Sequence, residues 1–198
     1  MALQIRPLSA STRNSSLKSS EIASEFLGRV QSKGSLSRSQ IIDGSQLQRL
    51  SQTLNRPNLH PGQSIMEKVP PCGTPVPAGY HLAYFTPSTL ESGLSPDGSD
   101  RIVNPRAPFT RRMWAGGEMT WTHANPLKVG NIVTESTKFL SAVAKTARSG
   151  EEMIVVGLEK TFKNNNGVAL VDRRFVSYLS NGDMMGLRTI ETGSFVLN

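Results

Sequence analysis

From Phe109 to Leu179 the sequence reads as four extended segments separated by short turns, and this run constrains the fold more than any other feature. Counting by twos through the first segment, Met113, Ala115, Gly117, Met119 and Trp121 fall on one face, with Arg112, Trp114, Gly116, Glu118 and Thr120 on the other. A Gly116-Gly117 pair inside such a strand marks a bulge or a close backbone approach, and a bulge switches the parity beyond it. Asn125-Pro126 makes a turn, a β-branched run follows over 129–144, and residues 147–150 turn again. The third segment, 153–162, carries Ile154, Val156 and Leu158 on one face, and KNNNG then supplies a hairpin into 168–179. Four strands joined in this way predict an antiparallel meander over 110–179, with one apolar face to cover.

The cover is expected from the proline-rich region 57–108. Its run PPCGTPVPAGY excludes regular helix and central strand, because proline lacks the ladder donor and fixes φ. Between Gly79 and Pro87 lies a short apolar island, His81–Phe85. It reads as a one- or two-turn helix or as a buried extended segment, and periodicity over so few residues does not decide. A short helix within 78–90 laid on the sheet gives an α+β architecture. Upstream, Asp43 and Ser45 are N-cap types for a helix in which Leu47, Leu50 and Leu54 share a face, and Pro57 ends it.

The N-terminus differs from the rest. The net charge is +7, and residues 1–40 contribute +4 of it through Arg6, Arg13, Lys18, Arg29, Lys33 and Arg38 against Glu21 and Glu25. Residues 1–20 contain no acid, the composition of an organelle-targeting presequence, and Ile22, Phe26, Leu27 and Val30 follow at helical spacing. Residues 1–35 are therefore expected to form a presequence-like tail, disordered or helical, with few contacts to the sheet, and to place the protein in the mitochondrial matrix; a cytoplasmic location is the alternative. The remainder carries only +3, too little to indicate a nucleic-acid partner. A single cysteine, Cys72, gives no internal disulfide, and no stretch has the apolar length of a membrane span.

Several motifs in order resemble one family. GSQLQRLSQTLNRP (44–57), PAGYHLAYFTP (77–87), PDGSD (96–100) and above all PFTRRMWAGGEMTW (108–121) are similar to the N-terminal module of fungal mitochondrial 3-hydroxyacyl-thioester dehydratases of type 2. PLKVG (126–130), KTARSGEEMIVVGLEKTF (145–162) and VDRRFVSYL (171–179) continue the match, which covers about residues 40–179. The mesaconyl-CoA hydratases, which share this MaoC-like hot-dog domain, are similar as well. The resemblance implies a single hot-dog-like module over 40–179, an antiparallel sheet over a short helix with a basic N-terminal extension. In the family two such modules pack side by side with the pantetheine arm between them. Water is removed from or added across Cα–Cβ by an Asp/His pair that belongs to the second module. One group takes the α-proton while the other protonates the departing hydroxyl. Helix N-terminal amides polarise the thioester carbonyl. Here the residues after Leu179, SNGDMMGLRTIETGSFVLN, have no counterpart, so 180–198 is expected to be an unmatched tail and the chain to represent only the N-terminal half.

No catalytic residue and no metal site is therefore assigned. His60, His81 and His123 with one cysteine lack ligand spacing. His60 and His123 sit at proline-flanked turns, and His81 reads as a core histidine. Glu118 and Asp100 have nothing in the pattern to bring them together. The substrate-binding candidates are Tyr84, Arg111, Arg112, Trp114, Gly116 and Gly117. Paired arginines at a strand start clamp phosphates through planar charge-assisted contacts, or else face solvent. Trp114 reads first as a core or inter-module packing residue, and Tyr84 as an acyl-tunnel residue or a plain buried aromatic. Gly116 and Gly117 admit a thin pantetheine arm or mark a bulge. No cofactor is expected, the substrate itself being carried on CoA or on the phosphopantetheine of an acyl carrier protein. Partners are the acyl thioester and a second hot-dog module or a second copy. The first function is a dehydratase/hydratase of mitochondrial type II fatty acid synthesis; the alternative is a catalytically inactive module that binds thioesters or a partner.

Overall fold

The computed structural model describes residues 18–95 and 98–180. Helix α1 (Ser19–Gln31) leads into strand β1 (Leu36–Ile41) and helix α2 (Gly44–Thr53). A small ribbon of β2 (Asn58–His60) and β3 (Gln63–Ser64) follows, then three short 3-10 turns, the first at Tyr80–Ala83. Four long strands complete the module: β4 (Phe109–Trp121), β5 (Ile132–Thr146), β6 (Glu152–Asn164) and β7 (Gly167–Ser180). The α+β class stands as expected, with the short helix inside 78–90.

The order of the sheet is β1-β5-β6-β7-β4, antiparallel throughout, so the expected four-strand meander is corrected. Only β5, β6 and β7 are sequential neighbours. Strand β4 pairs with β7, Arg112 opposite Tyr178 and Trp121 opposite Leu170, because the connection over 122–131 is long enough to cross to the other edge. The sequence reading missed β1 because its residues, LSRSQI, carry little apolar signal. The register slips between Trp114 and Gly116, the bulge foreseen from the glycine pair.

The expectation of a loosely attached tail over 1–35 is also corrected for its described part, from residue 18 onward. Ile22, Ala23, Phe26 and Val30 of α1 are buried. Phe26 meets Phe139 of β5 edge to face at 5.7 Å, and Tyr178 of β7 at 6.4 Å. The helical spacing that suggested an amphipathic presequence is the packing stripe of a core helix. The module therefore includes α1 and β1, upstream of the expected boundary at residue 40. Residues 1–17 of the proposed tail and the C-terminal segment 181–198 lie outside the described residues.

Two apolar clusters fill the concave face. One lies under α2 and the 80–85 turn and includes Leu47, Tyr80, Phe85, Val133, Phe162 and Leu170. The other lies under α1 and includes Phe26, Phe139, Ile154, Val156 and Tyr178. Between them, on the same strand face, β6 and β7 place Lys160, Asp172 and Arg174.

Candidate functional site

The segment PAGYHLAYF is fixed from three sides. Gly79 turns the chain at φ 84°, a left-handed value that favours glycine. Tyr84 is buried and its hydroxyl donates to the Asp43 carbonyl at 2.5 Å. Burial, with Asp43 adding to it, pushes the Tyr84 phenol up to about 12. Phe85 adopts φ 60°, a strained conformation for a bulky residue. Its N–H donates to Gln40 Oε1 at 2.8 Å and its carbonyl accepts from Arg38 Nη1 at 2.6 Å, so β1 holds the turn in place.

This scaffold sets His81 against the sheet. Its ring meets Trp121 at 5.2 Å and Phe162 at 5.1 Å, both edge-on, and its side chain has no exposed surface. Nε2 stands 3.6 Å from Asp172 Oδ2, beyond direct hydrogen-bond length. Among the described residues both ring nitrogens and Asp172 Oδ1 lack hydrogen-bond partners. Arg174 Nε donates to Asp172 Oδ2 at 2.8 Å and Nη2 donates to the same oxygen. Burial alone would raise the Asp172 carboxyl, but His81 and Arg174 outweigh it and hold the group below its ordinary range.

A second buried carboxylate lies alongside. Glu135, 3% exposed, accepts from Lys160 Nζ at 2.9 Å and from Thr137 Oγ1 at 3.2 Å, and Arg38 Nε lies 3.4 Å away. Together these side chains form a charged belt running across the sheet from β1 to β7.

The six substrate-binding candidates are not gathered in this belt. Tyr84 is a buried brace under α2, its hydroxyl taken up by the Asp43 carbonyl. Arg111 and Arg112 stand exposed on β4 with no carboxylate partner among the described residues, and Arg112 lies against Tyr178. Trp114 is 59% exposed and so is not a core residue of this module. Gly116 has φ 143° and open space where a side chain would go. At Gly117 a Cβ would lie 2.8 Å from the Trp114 ring and 2.6 Å from the Arg173 carbonyl, so the notch is filled by the chain's own tryptophan. Arg174 approaches the same ring at 5.9 Å, which links the belt to the β4 edge.

Elsewhere, His60 Nε2 bonds the Pro75 carbonyl at 2.8 Å, and His123 borders an open cleft of about 500 Å³ with Ala78, Met119 and Trp121. Asp100 caps a 3-10 turn at Ile102, and Glu118 is exposed on β4. Among the described residues no group of acids, histidines and cysteines could hold a metal ion. Sequence reasoning missed the belt, although a signal was present: continuing the Ile154, Val156, Leu158 face by two reaches Lys160, a charge at an inward position.

A five-stranded antiparallel sheet closed over helical segments on one face defines a hot-dog module. In fold it is similar to a chain of the ChsH1-ChsH2 complex from Mycobacterium tuberculosis, with TM-score 0.58, 14% identity, and coverage of 84% of this chain and 96% of that one. A MaoC-like dehydratase from Rhodospirillum rubrum superposes with TM-score 0.42 and 13% identity over 75% of this chain and 92% of its own. The family model for hydroxyacyl-thioester dehydratase type 2 matches residues 79–189, and the chain belongs to that family. Mesaconyl-C(4)-CoA hydratase of Chloroflexus aurantiacus is 32% identical over 83 residues, which are 41% of this chain. The matched stretch spans only 29% of that hydratase's length.

Proposed function

We propose that this chain is one hot-dog module of a 3-hydroxyacyl-thioester dehydratase, the reverse reaction being hydration of an enoyl thioester, and that it works with a second hot-dog module. The observation that carries the reading is the family match over 79–189, which takes in the turn at His81, the RRMWAGG strand and four of the five belt residues, Glu135, Lys160, Asp172 and Arg174. The partner's place is the outer edge of β4. This edge strand is 13 residues long, pairs on one side only among the described residues, and exposes Met113 and Trp114 at 39% and 59%. Long unpaired edges with exposed apolar side chains are templates for strand addition. The acid and base that act on Cα–Cβ come from the second module in this reading, since His81 and Asp172 are sealed from solvent and do not reach a substrate. Arg111 and Arg112, free of carboxylates among the described residues, suit the phosphates of CoA or of a carrier protein's phosphopantetheine. The acid-free, basic stretch 1–20 supports action in mitochondrial type II fatty acid synthesis.

Crotonyl-CoA hydration, followed by loss of the enoyl-thioester absorbance, tests this. The chain alone is expected to show no useful turnover, and addition of the second module of a complete relative is expected to produce it. Hydration by the isolated chain that is lost in His81→Ala would refute the assignment of the acid/base pair to the partner. The burial of His81 and Asp172 also favours a second reading, a catalytically inactive module that binds thioesters or a partner. In that case thioester binding persists and no partner restores turnover.

A further inference from the structure

We infer that the concave face of the sheet carries an oxyanion-binding notch formed by Arg38, Lys160 and Arg174. The five charged residues of the belt do not balance: three cations stand against Glu135 and Asp172. Their layering is also uneven. The two carboxylates lie at the bottom, with side chains 3% and 0% exposed, while the Arg38, Lys160 and Arg174 side chains keep 35%, 18% and 22% of their surface. The acids therefore anchor the cations from below and leave the surplus positive charge on the open side.

The three cationic groups are close enough to feel one another. Arg38 Nε and Lys160 Nζ converge on the same oxygen of Glu135, at 3.4 and 2.9 Å. Lys160 is directly opposite Asp172 in the strand register, and Asp172 holds Arg174. The Lys160 ammonium is lowered from its ordinary value, first by burial, and the repulsion of Arg174 and Arg38 works in the same direction against Glu135. Donors also remain free. Among the described residues Arg38 Nη2, Arg174 Nη1 and two hydrogens of Lys160 make no hydrogen bond. Against Asp172 lies His81, fully buried, with both nitrogens unpaired among the described residues. Two guanidinium groups and an ammonium with spare donors fit the planar or tetrahedral oxygens of a carboxylate or phosphate. An alkyl chain laid across the same five charges would strip water from them and return nothing.

Two negative groups of a thioester ligand share this chemistry: a free carboxylate at the far end of a short acyl group, and a phosphate of the pantetheine carrier. Assigning the anion to a thioester rests on the dehydratase reading; the notch itself does not. The test uses the full chain labelled with [15N]arginine, following the Nε–H resonances at fixed ionic strength during titration with inorganic phosphate and, separately, mono-methyl succinate. Saturable shifts at Arg38 and Arg174 are expected with at least one anion, without a matching shift at Arg173, which is paired with Glu159 outside the belt. Arg38→Gln, a change at a part-exposed position, is expected to weaken that binding about tenfold, the loss of one charge-assisted contact. Preference for mono-methyl succinate assigns the notch to an acyl carboxylate, and preference for phosphate assigns it to the carrier arm. Equal, non-saturating shifts at Arg38, Arg174 and Arg173 with both anions would overturn the inference. Saturable binding in a chain that no second module activates toward crotonyl-CoA would leave the notch standing and remove the dehydratase reading.

Discussion

Asp172→Asn isolates the contribution of the belt to stability. The substitution keeps the volume and one acceptor oxygen but removes the charge that Arg174 holds through two nitrogens on one oxygen. A hydrogen bond to a charged group contributes about 1.5–3 kcal/mol. Because 22% of the Arg174 side chain is exposed, water recovers part of that loss, and we expect a destabilisation of about 3 kcal/mol at neutral pH. The pH dependence has a definite sign. The folded carboxyl is held below its unfolded value, so its stabilisation is complete above about pH 4 and disappears as pH falls through the folded value. Urea unfolding followed by tryptophan fluorescence, with wild type and Asp172→Asn compared at neutral pH and near pH 3, measures both quantities. A neutral-pH difference below about 0.5 kcal/mol, the range of ordinary surface substitutions, would refute the reasoning, as would a gap that does not narrow in acid.

Two further predictions address the fold. Phe26→Ala deletes an aromatic wedged between Phe139 and Tyr178 and should cost about 3–5 kcal/mol by denaturant unfolding, whereas a detachable presequence would show no change. Gly117→Ala forces a Cβ against the Arg173 carbonyl and the Trp114 ring; we expect a loss of about 1–3 kcal/mol with a changed Trp114 emission, and unchanged emission would mean that the ring does not lie over Gly117.

The parts of this protein that were legible in the sequence are those written in short-range patterns. The four long strands, the bulge at the glycine pair, the Asp43 cap and the short turn at HLAYF each follow from residues a few positions apart. Strand order was not legible, because an antiparallel β4 satisfies its hydrogen bonds against β5 or β7 equally well, and only the apolar closure of the whole sheet chooses. The stripe Ile22, Phe26, Val30 was read correctly as a helix and wrongly as an appendage: periodicity shows that a face is apolar, not what covers it. The meeting of His81 and Asp172 depends on β1 and α2 holding the 80–85 turn above β7, a relation between segments far apart in the chain.

That the core is divided by charges at all argues for a role beyond folding. Replacing a buried ionic group by apolar side chains of similar size is often neutral or stabilising, so Glu135, Lys160, Asp172 and Arg174 are not needed to close the sheet. The same region holds a bulky residue in left-handed backbone, and strain of that kind costs on the order of 1–3 kcal/mol where the surroundings enforce it. Arg38 joins the two features, since its guanidinium binds the carbonyl of strained Phe85 and lies against Glu135 of the belt. An anion drawing Arg38 toward the notch would compete with the Phe85 contact, and release of that carbonyl would let the His81 turn relax.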